Sequence, residues 1–127
     1  MPGAAFLTDE WIQECNEALA TLPRSTTPDV AARPMAVTES VTGVPAGTHG
    51  TITLLADASG VRMVAGEEPG ASAWFTLAYD DAEAMHAGLL DPATALTEGR
   101  IRVRGDLQAL VSAVGMLAAA HEQLRAR

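Results

Sequence analysis

Glu39, His86 and Tyr79 are the residues of this 127-residue chain best suited to acid–base chemistry. Glu39 has the strand parity of Val37 and Val41, so it points with them toward the apolar side of a strand. A carboxylate held there loses hydration, which favours its neutral form unless a partner compensates. Either a bulge or strand-end twist returns it to water, or it serves as a polar anchor in an apolar pocket or as a general base. His86 falls in a short helix beside Met85, where it can face a cavity. Tyr79 follows the last residue of an apolar strand and supplies a third acid–base group. The other two histidines read as exposed and inert. His49 stands at a strand start between Gly47 and Gly50. His121 lies near a helix C-terminus, where a cation suits the dipole.

Familiar catalytic signatures are absent. There is no Gly-x-x-x-x-Gly-Lys loop, and no lysine to complete one. No Gly-x-Ser-x-Gly elbow occurs. No His, Cys and carboxylate set has metal-ligand spacing, so neither a metal nor a cofactor is expected. The formal net charge of −8 argues against nucleic acid as a partner, because phosphates need clustered positive charge. It equally disfavours charge-driven attachment to anionic membranes, leaving at most transient membrane contact. Cys15 is the single cysteine, which excludes an intrachain disulfide and fits a reducing cytoplasm. No signal peptide and no run of 18 apolar residues is seen, so a cytoplasmic protein is expected. Alanine excess and exclusive use of arginine suggest GC-rich coding and a bacterial source.

These residues need elements to position them. Thr8 to Leu22 reads as a first helix, with Thr8 as N-cap and Trp11, Ile12, Cys15, Leu19 and Leu22 on one stripe. Pro23, Pro28 and Pro34 mark residues 23–34 as a linker. Residues 1–34 thus form an N-terminal helix and linker ahead of a domain at 35–127, the whole being one compact unit. From Met35 the hydrophobic period becomes two. Strands are predicted at 35–42, 48–56, 61–65 and 73–78, with Trp74 and Phe75 on opposite faces and Trp74 under helix one. Asp80 and Glu83 form a capping box for a short helix with Met85 and Leu89 inward. Asp91-Pro92 opens another helix, which Gly99 ends. Arg100 to Arg104 alternates as a half-buried strand with its three arginines on one face. The last helix, 107–126, shows a broad apolar face of Leu107, Leu110, Val111, Val114, Leu117, Ala118 and Leu124.

The order of these pieces carries a resemblance. Val41-Thr-Gly-Val-Pro-Ala-Gly47, Gly60-Val-Arg-Met-Val64, the apolar strand Ala73–Ala78, Asp80-Asp-Ala-Glu83, Leu90-Asp-Pro92 and Gly99-Arg-Ile-Arg-Val-Arg-Gly-Asp106 follow one another at fixed spacing. Together they resemble the SCP-2-like sterol-carrier family from about residue 30 to 118. The resemblance implies an α+β fold: a five-stranded, mainly antiparallel sheet covered by helices, with an apolar cavity between sheet and helices. It also implies a carrier or transfer protein for a sterol, fatty acid or other lipid, and no catalytic motif. The cavity residues expected are Ile52, Leu54, Met63, Phe75, Leu77, Met85, Leu89, Ile101, Val103, Leu110, Val114 and Leu117. Met63, Met85 and Met116 would give an adaptable wall. Two other readings stay open. One is a small cyclase or isomerase using the same pocket, with Glu39, His86 and Tyr79 as acid–base groups. The other is a homodimeric interaction module with Trp11 of the N-terminal helix as anchor.

Overall fold

Alternating apolar and polar residues build one five-stranded sheet, in the order β3-β2-β1-β4-β5. The structure is a computed structural model that describes residues 5–21, 35–57 and 60–125. The strands are β1 (Met35–Thr42), β2 (Thr51–Asp57), β3 (Gly60–Ala65), β4 (Ala73–Ala78) and β5 (Ile101–Gly105). The helices are α1 (Asp9–Ala20), α2 (Tyr79–His86), α3 (Pro92–Thr97) and α4 (Leu107–Arg125). β1 to β3 form an antiparallel meander, β4 returns parallel to β1, and β5 pairs antiparallel with β4. The sheet is therefore mainly antiparallel, with one parallel pair at its centre.

Pairing register sets the faces. Ala65, Ile52, Glu39, Phe75 and Val103 form one row across all five strands. Side chains in one row share a face, so Glu39 stands mid-sheet between Ile52 and Phe75 on the helix-covered side. α1 and α4 lie over this face. α1 starts where Thr8 caps it by accepting from the Trp11 amide, and it buries Trp11, Ile12, Cys15, Ala18 and Leu19. Asn16 binds both backbone groups of Met63 on edge strand β3, at 2.9 and 2.6 Å. That amide takes the place of a further strand and blunts the edge. Leu22 and the linker 23–34 lie outside the described residues.

Several local expectations are corrected. β4 runs straight into α2, whose N-cap is Ala78, so Asp80 lies in the first turn and makes no cap. α2 then ends at His86, and the turn through Gly88 (φ +79°) throws Leu89 out to 84% exposure. β2 starts only at Thr51, because Thr48 is tied back to Pro45 in a turn. Trp74 lies on the outer sheet face beneath Arg104, 4.6 Å from its guanidinium, and not under α1. α3 is capped by Asp91, which accepts from the Thr94 amide, and α4 by Asp106, which accepts from Gln108. Gly105 (φ +96°) joins β5 to α4 where a Cβ would meet the Ser72 carbonyl at 2.4 Å, so only glycine fits.

The face that α4 buries also differs from expectation. Ala109, Ala113, Met116, Leu117, Ala120 and His121 are buried, while Val111 is 72% exposed. Small side chains let α4 approach β1, β4 and α1. The larger Leu110, Val111 and Val114 are turned to one side, where they border a cavity.

Candidate functional site

That cavity lies over the β4–β5 end of the inner face. It has a volume of about 360 Å³ and is lined by Phe75, Ile101 and Val103 of the sheet, Met85 of α2, Asp91, Ala93 and Leu96 around α3, and Leu110, Val111 and Val114 of α4. Among the described residues, Asp91 is the one charged lining residue, and the amide and hydroxyl of Thr94 both donate to its Oδ2. Leu96 and Val111 at the rim are 48% and 72% exposed.

Of the expected cavity residues, Phe75, Met85, Ile101, Val103, Leu110 and Val114 line it. Ile52, Leu54, Met63, Leu77 and Leu117 are instead buried in the closed core. α1 packs over the β3 side of the inner face and fills the space there. Leu89 belongs to neither group, because the Gly88 turn faces it outward. Ala93, Leu96 and Val111 were not in the expected set. Val111 reads from the sequence as part of the apolar face of α4, but nothing there sets α3 beside α4 so that Leu96 and Val111 border one cavity.

One layer behind the cavity wall is a buried polar chain. Glu39 is 2% exposed, His86 7% and His121 6%. His86 Nε2 lies 3.0 and 3.1 Å from the two oxygens of Glu39, and its Nδ1 lies 2.5 Å from His121 Nε2. The chain ties β1 to α2 and α2 to α4. It abuts the cavity through neighbours: Phe75 flanks Glu39 in the sheet row, and Met85 precedes His86. The segment before α1 and α1 itself close it. Phe6 sits 5.1 Å from the His86 ring, and Trp11 sits 5.3 Å from His86 and stacks at 5.7 Å on His121.

With Glu39 ionised and both rings neutral, His86 Nε2–H donates to the carboxylate and His121 Nε2–H donates to His86 Nδ1. With one more proton on His86, both its nitrogens donate and His121 accepts. Every hydrogen bond survives in either state. The polar atoms run in a line and do not converge on one point, which suits proton exchange along the chain and not ligation of an ion. Cys15 shares this interior. Burial pushes its thiol up to about 12, with Glu14 and Glu39 adding to the effect.

Tyr79 does not join the chain; its ring packs 5.5 Å from Phe6. Desolvation, Glu83 and Asp80 raise its phenol above the ordinary range. His49 stays half-exposed, 2.6 Å from Asp9. His121 is the main correction: it is buried, and not an exposed cation at a helix end. Its spacing of four from Leu117 and eight from Ala113 places it on the buried stripe of α4, the signal that would have found it. Trp11, considered as a dimer anchor, packs into its own core at 8% exposure. Arg102 and Arg104 are exposed on the outer face of β5, whereas Arg100 precedes the strand and pairs with Asp81 and Glu98.

No protein-family model matches the sequence, and no curated protein matches it. Solved structures do. A crystal structure of sterol carrier protein 2 superposes with a TM-score of 0.64 at 19% identity, over 93% of this chain and 98% of its own. Palmitated SCP2L2 from Aedes aegypti gives 0.62 at 15% identity, over 84% of this chain and 89% of its own. The inverting sec-alkylsulfatase Pisa1 from Pseudomonas sp. gives 0.61 at 17% identity over 85% of this chain, which spans only 16% of that enzyme's length. These likenesses establish the fold as that of sterol carrier protein 2 domains. No helix of the described residues is long and apolar enough to cross a membrane.

Proposed function

We propose that this chain carries a small apolar molecule in the β4–β5 cavity, without covalent chemistry. The cavity of about 360 Å³, whose described lining is apolar except for Asp91 and which exposed Leu96 and Val111 rim, carries the reading. At ~30 Å³ per water-sized group, it has room for about a dozen such groups. That is the size of a medium acyl chain or a compact polycycle with part of it projecting. Affinity would come from apolar burial, about 25 cal/mol per Å² before the costs of association. Among the described residues, Asp91 is the only charge at the wall, so a neutral ligand suits it better than a carboxylate. The palmitated neighbour supports a lipid occupant for this fold.

Native mass spectrometry of the purified protein, followed by organic extraction, tests this. A discrete apolar adduct at one per chain is expected, together with saturable binding of the neutral dye Nile red. A bare mass and no dye binding would overturn the reading.

A further inference from the structure

We propose that the outer face of the sheet holds a site for a small polyol phosphate, with the phosphate between Arg102 and Arg104 and the hydroxyls on Glu67. This face is opposite the apolar cavity. Trp74 and Thr76 alternate with Phe75 and Leu77 along β4, and Arg102 and Arg104 with Ile101 and Val103 along β5. The site therefore does not depend on the carrier reading.

Two rows of residues build it. Thr51, Ser40, Thr76 and Arg102 cross the sheet side by side, and Thr53, Thr38, Trp74 and Arg104 form the next row. Thr53 donates to the Gly66 carbonyl at 2.7 Å and bonds Thr38 at 2.9 Å, so the two buried hydroxyls of that row are satisfied. The Gly66 amide bonds the Thr51 carbonyl, so Glu67 enters the outer face from the β2 side. Between Glu67 and β5 lies a hollow of about 330 Å³, lined by Ser40, Glu67, Trp74, Thr76, Arg102 and Arg104.

Donors are in surplus there. Among the described residues, Arg62 and Arg100 pair with carboxylates, whereas Arg102 and Arg104 pair with none. The hydroxyls of Ser40 and Thr76 have no hydrogen-bond partner among these residues either. Trp74 Nε1 is shielded from water and also lacks a partner, a rare state for a buried donor. Two cations and two free hydroxyls face a single carboxylate, Glu67. This imbalance suits an oxyanion. Guanidinium forks take phosphate oxygens in pairs, and two cations match a dianion. Arg104 already lies over the Trp74 ring, 4.6 Å from its centre, where a nucleobase would otherwise stack. At ~30 Å³ per water-sized group, the hollow takes about eleven such groups, the size of glycerol phosphate. Glu67 repels the phosphate end and accepts from hydroxyls, which orients the ligand. The net charge of −8 opposes anions at long range, but salt of about 0.1 M screens charges beyond about 10 Å, and the two arginines act inside that distance.

Indole ¹H–¹⁵N spectra of the full chain, titrated with glycerol phosphate in about 0.1 M salt, are the test. The Trp74 resonance should shift saturably, while that of Trp11, buried on the other side of the sheet, should not. Arg102→Gln should weaken binding about tenfold or more. Inorganic phosphate should bind about fivefold more weakly than glycerol phosphate. Glu67→Ala should abolish that preference without weakening inorganic phosphate. A linear or absent shift of Trp74, or equal affinity in Arg102→Gln, overturns the site. Inorganic phosphate binding as tightly as glycerol phosphate in wild type overturns the polyol class. Binding to phosphatidylglycerol vesicles with none to glycerol phosphate overturns the soluble ligand. Should a variant not fold, the wild-type saturation and the preference over inorganic phosphate decide. Nile red binding, which reads the inner cavity, should be the same with and without glycerol phosphate; competition between them would place the phosphate on the wrong face and overturn the assignment.

Discussion

At the scale of single residues, burial decides which groups have chemistry. Glu39 was legible because strand parity is simple: a carboxylate between Val37 and Val41 must share their face. Its partner was half-legible, since His86 follows Met85 but nothing in the sequence aims its ring at β1. His121 was hidden by a competing rule, because a histidine near a helix end also suits the dipole in water. The pairing gives a direct expectation. Glu39→Leu leaves the buried His86 Nε2–H without its acceptor and should cost about 3–5 kcal/mol in urea unfolding. Glu39→Leu combined with His86→Leu should recover a large part of that loss, because no buried polar group then lacks its partner across the β1–α2 contact.

Cys15 provides a second check at this scale. Its folded value of about 12 exceeds the free-thiol value of 9.0, so the folded state keeps a proton that the unfolded state gives up. The sign follows: its contribution is complete below about pH 9 and is lost as pH rises toward about 12, at up to 1.4 kcal/mol per unit. Stability measured above pH 9 should therefore fall more steeply in wild type than in Cys15→Ala. A thiol reagent at pH 8 should label Cys15 only at the rate of opening or unfolding; immediate labelling of the native protein would contradict its burial.

At the scale of elements, strands were easier to read than helix faces. The period of two placed β4 at 73–78, and the Asp91-Pro92 start and Gly99 stop bracketed α3. For α4, summed hydropathy favoured Leu110, Val111 and Val114, yet the packed face is Ala109, Ala113, Ala120 and their neighbours. Hydropathy ranks side chains by size, whereas close approach of a helix to a sheet selects small ones. Ala113 has no exposed surface, so Ala113→Leu should overpack the contact with the sheet and cost about 1–3 kcal/mol. Gly105→Ala meets both a backbone carbonyl and a left-handed φ, and the backbone strain alone should cost about 1–3 kcal/mol. Thermal unfolding of the two variants measures both. An unchanged midpoint for Gly105→Ala would mean that β5 joins α4 differently.

At the scale of the whole molecule, the inner sheet face is divided into three zones. α1 seals Ile52, Leu54 and Met63 on the β2–β3 side, and the Glu39–His86–His121 chain occupies the centre. The β4–β5 side is left to α2, α3 and α4, which surround space instead of filling it. This division could not be read from the sequence, because Leu54 and Phe75 have the same parity and hydropathy. Only the reach of α1 separates a packed residue from a lining one. The division makes the cavity testable without disturbing the core. Val114 is half-buried on its wall, so Val114→Trp places an indole in the open volume. Filling should leave the fold intact and raise stability by about 0.5–2 kcal/mol. It should also weaken Nile red binding at least ~tenfold, a loss of about 1.4 kcal/mol. Leu54→Phe, in the sealed zone, should do the reverse, lowering stability while sparing dye affinity in the folded fraction. If dye binding survives Val114→Trp and fails with Leu54→Phe, the occupant lies under α1, and the assignment of the β4–β5 cavity is wrong.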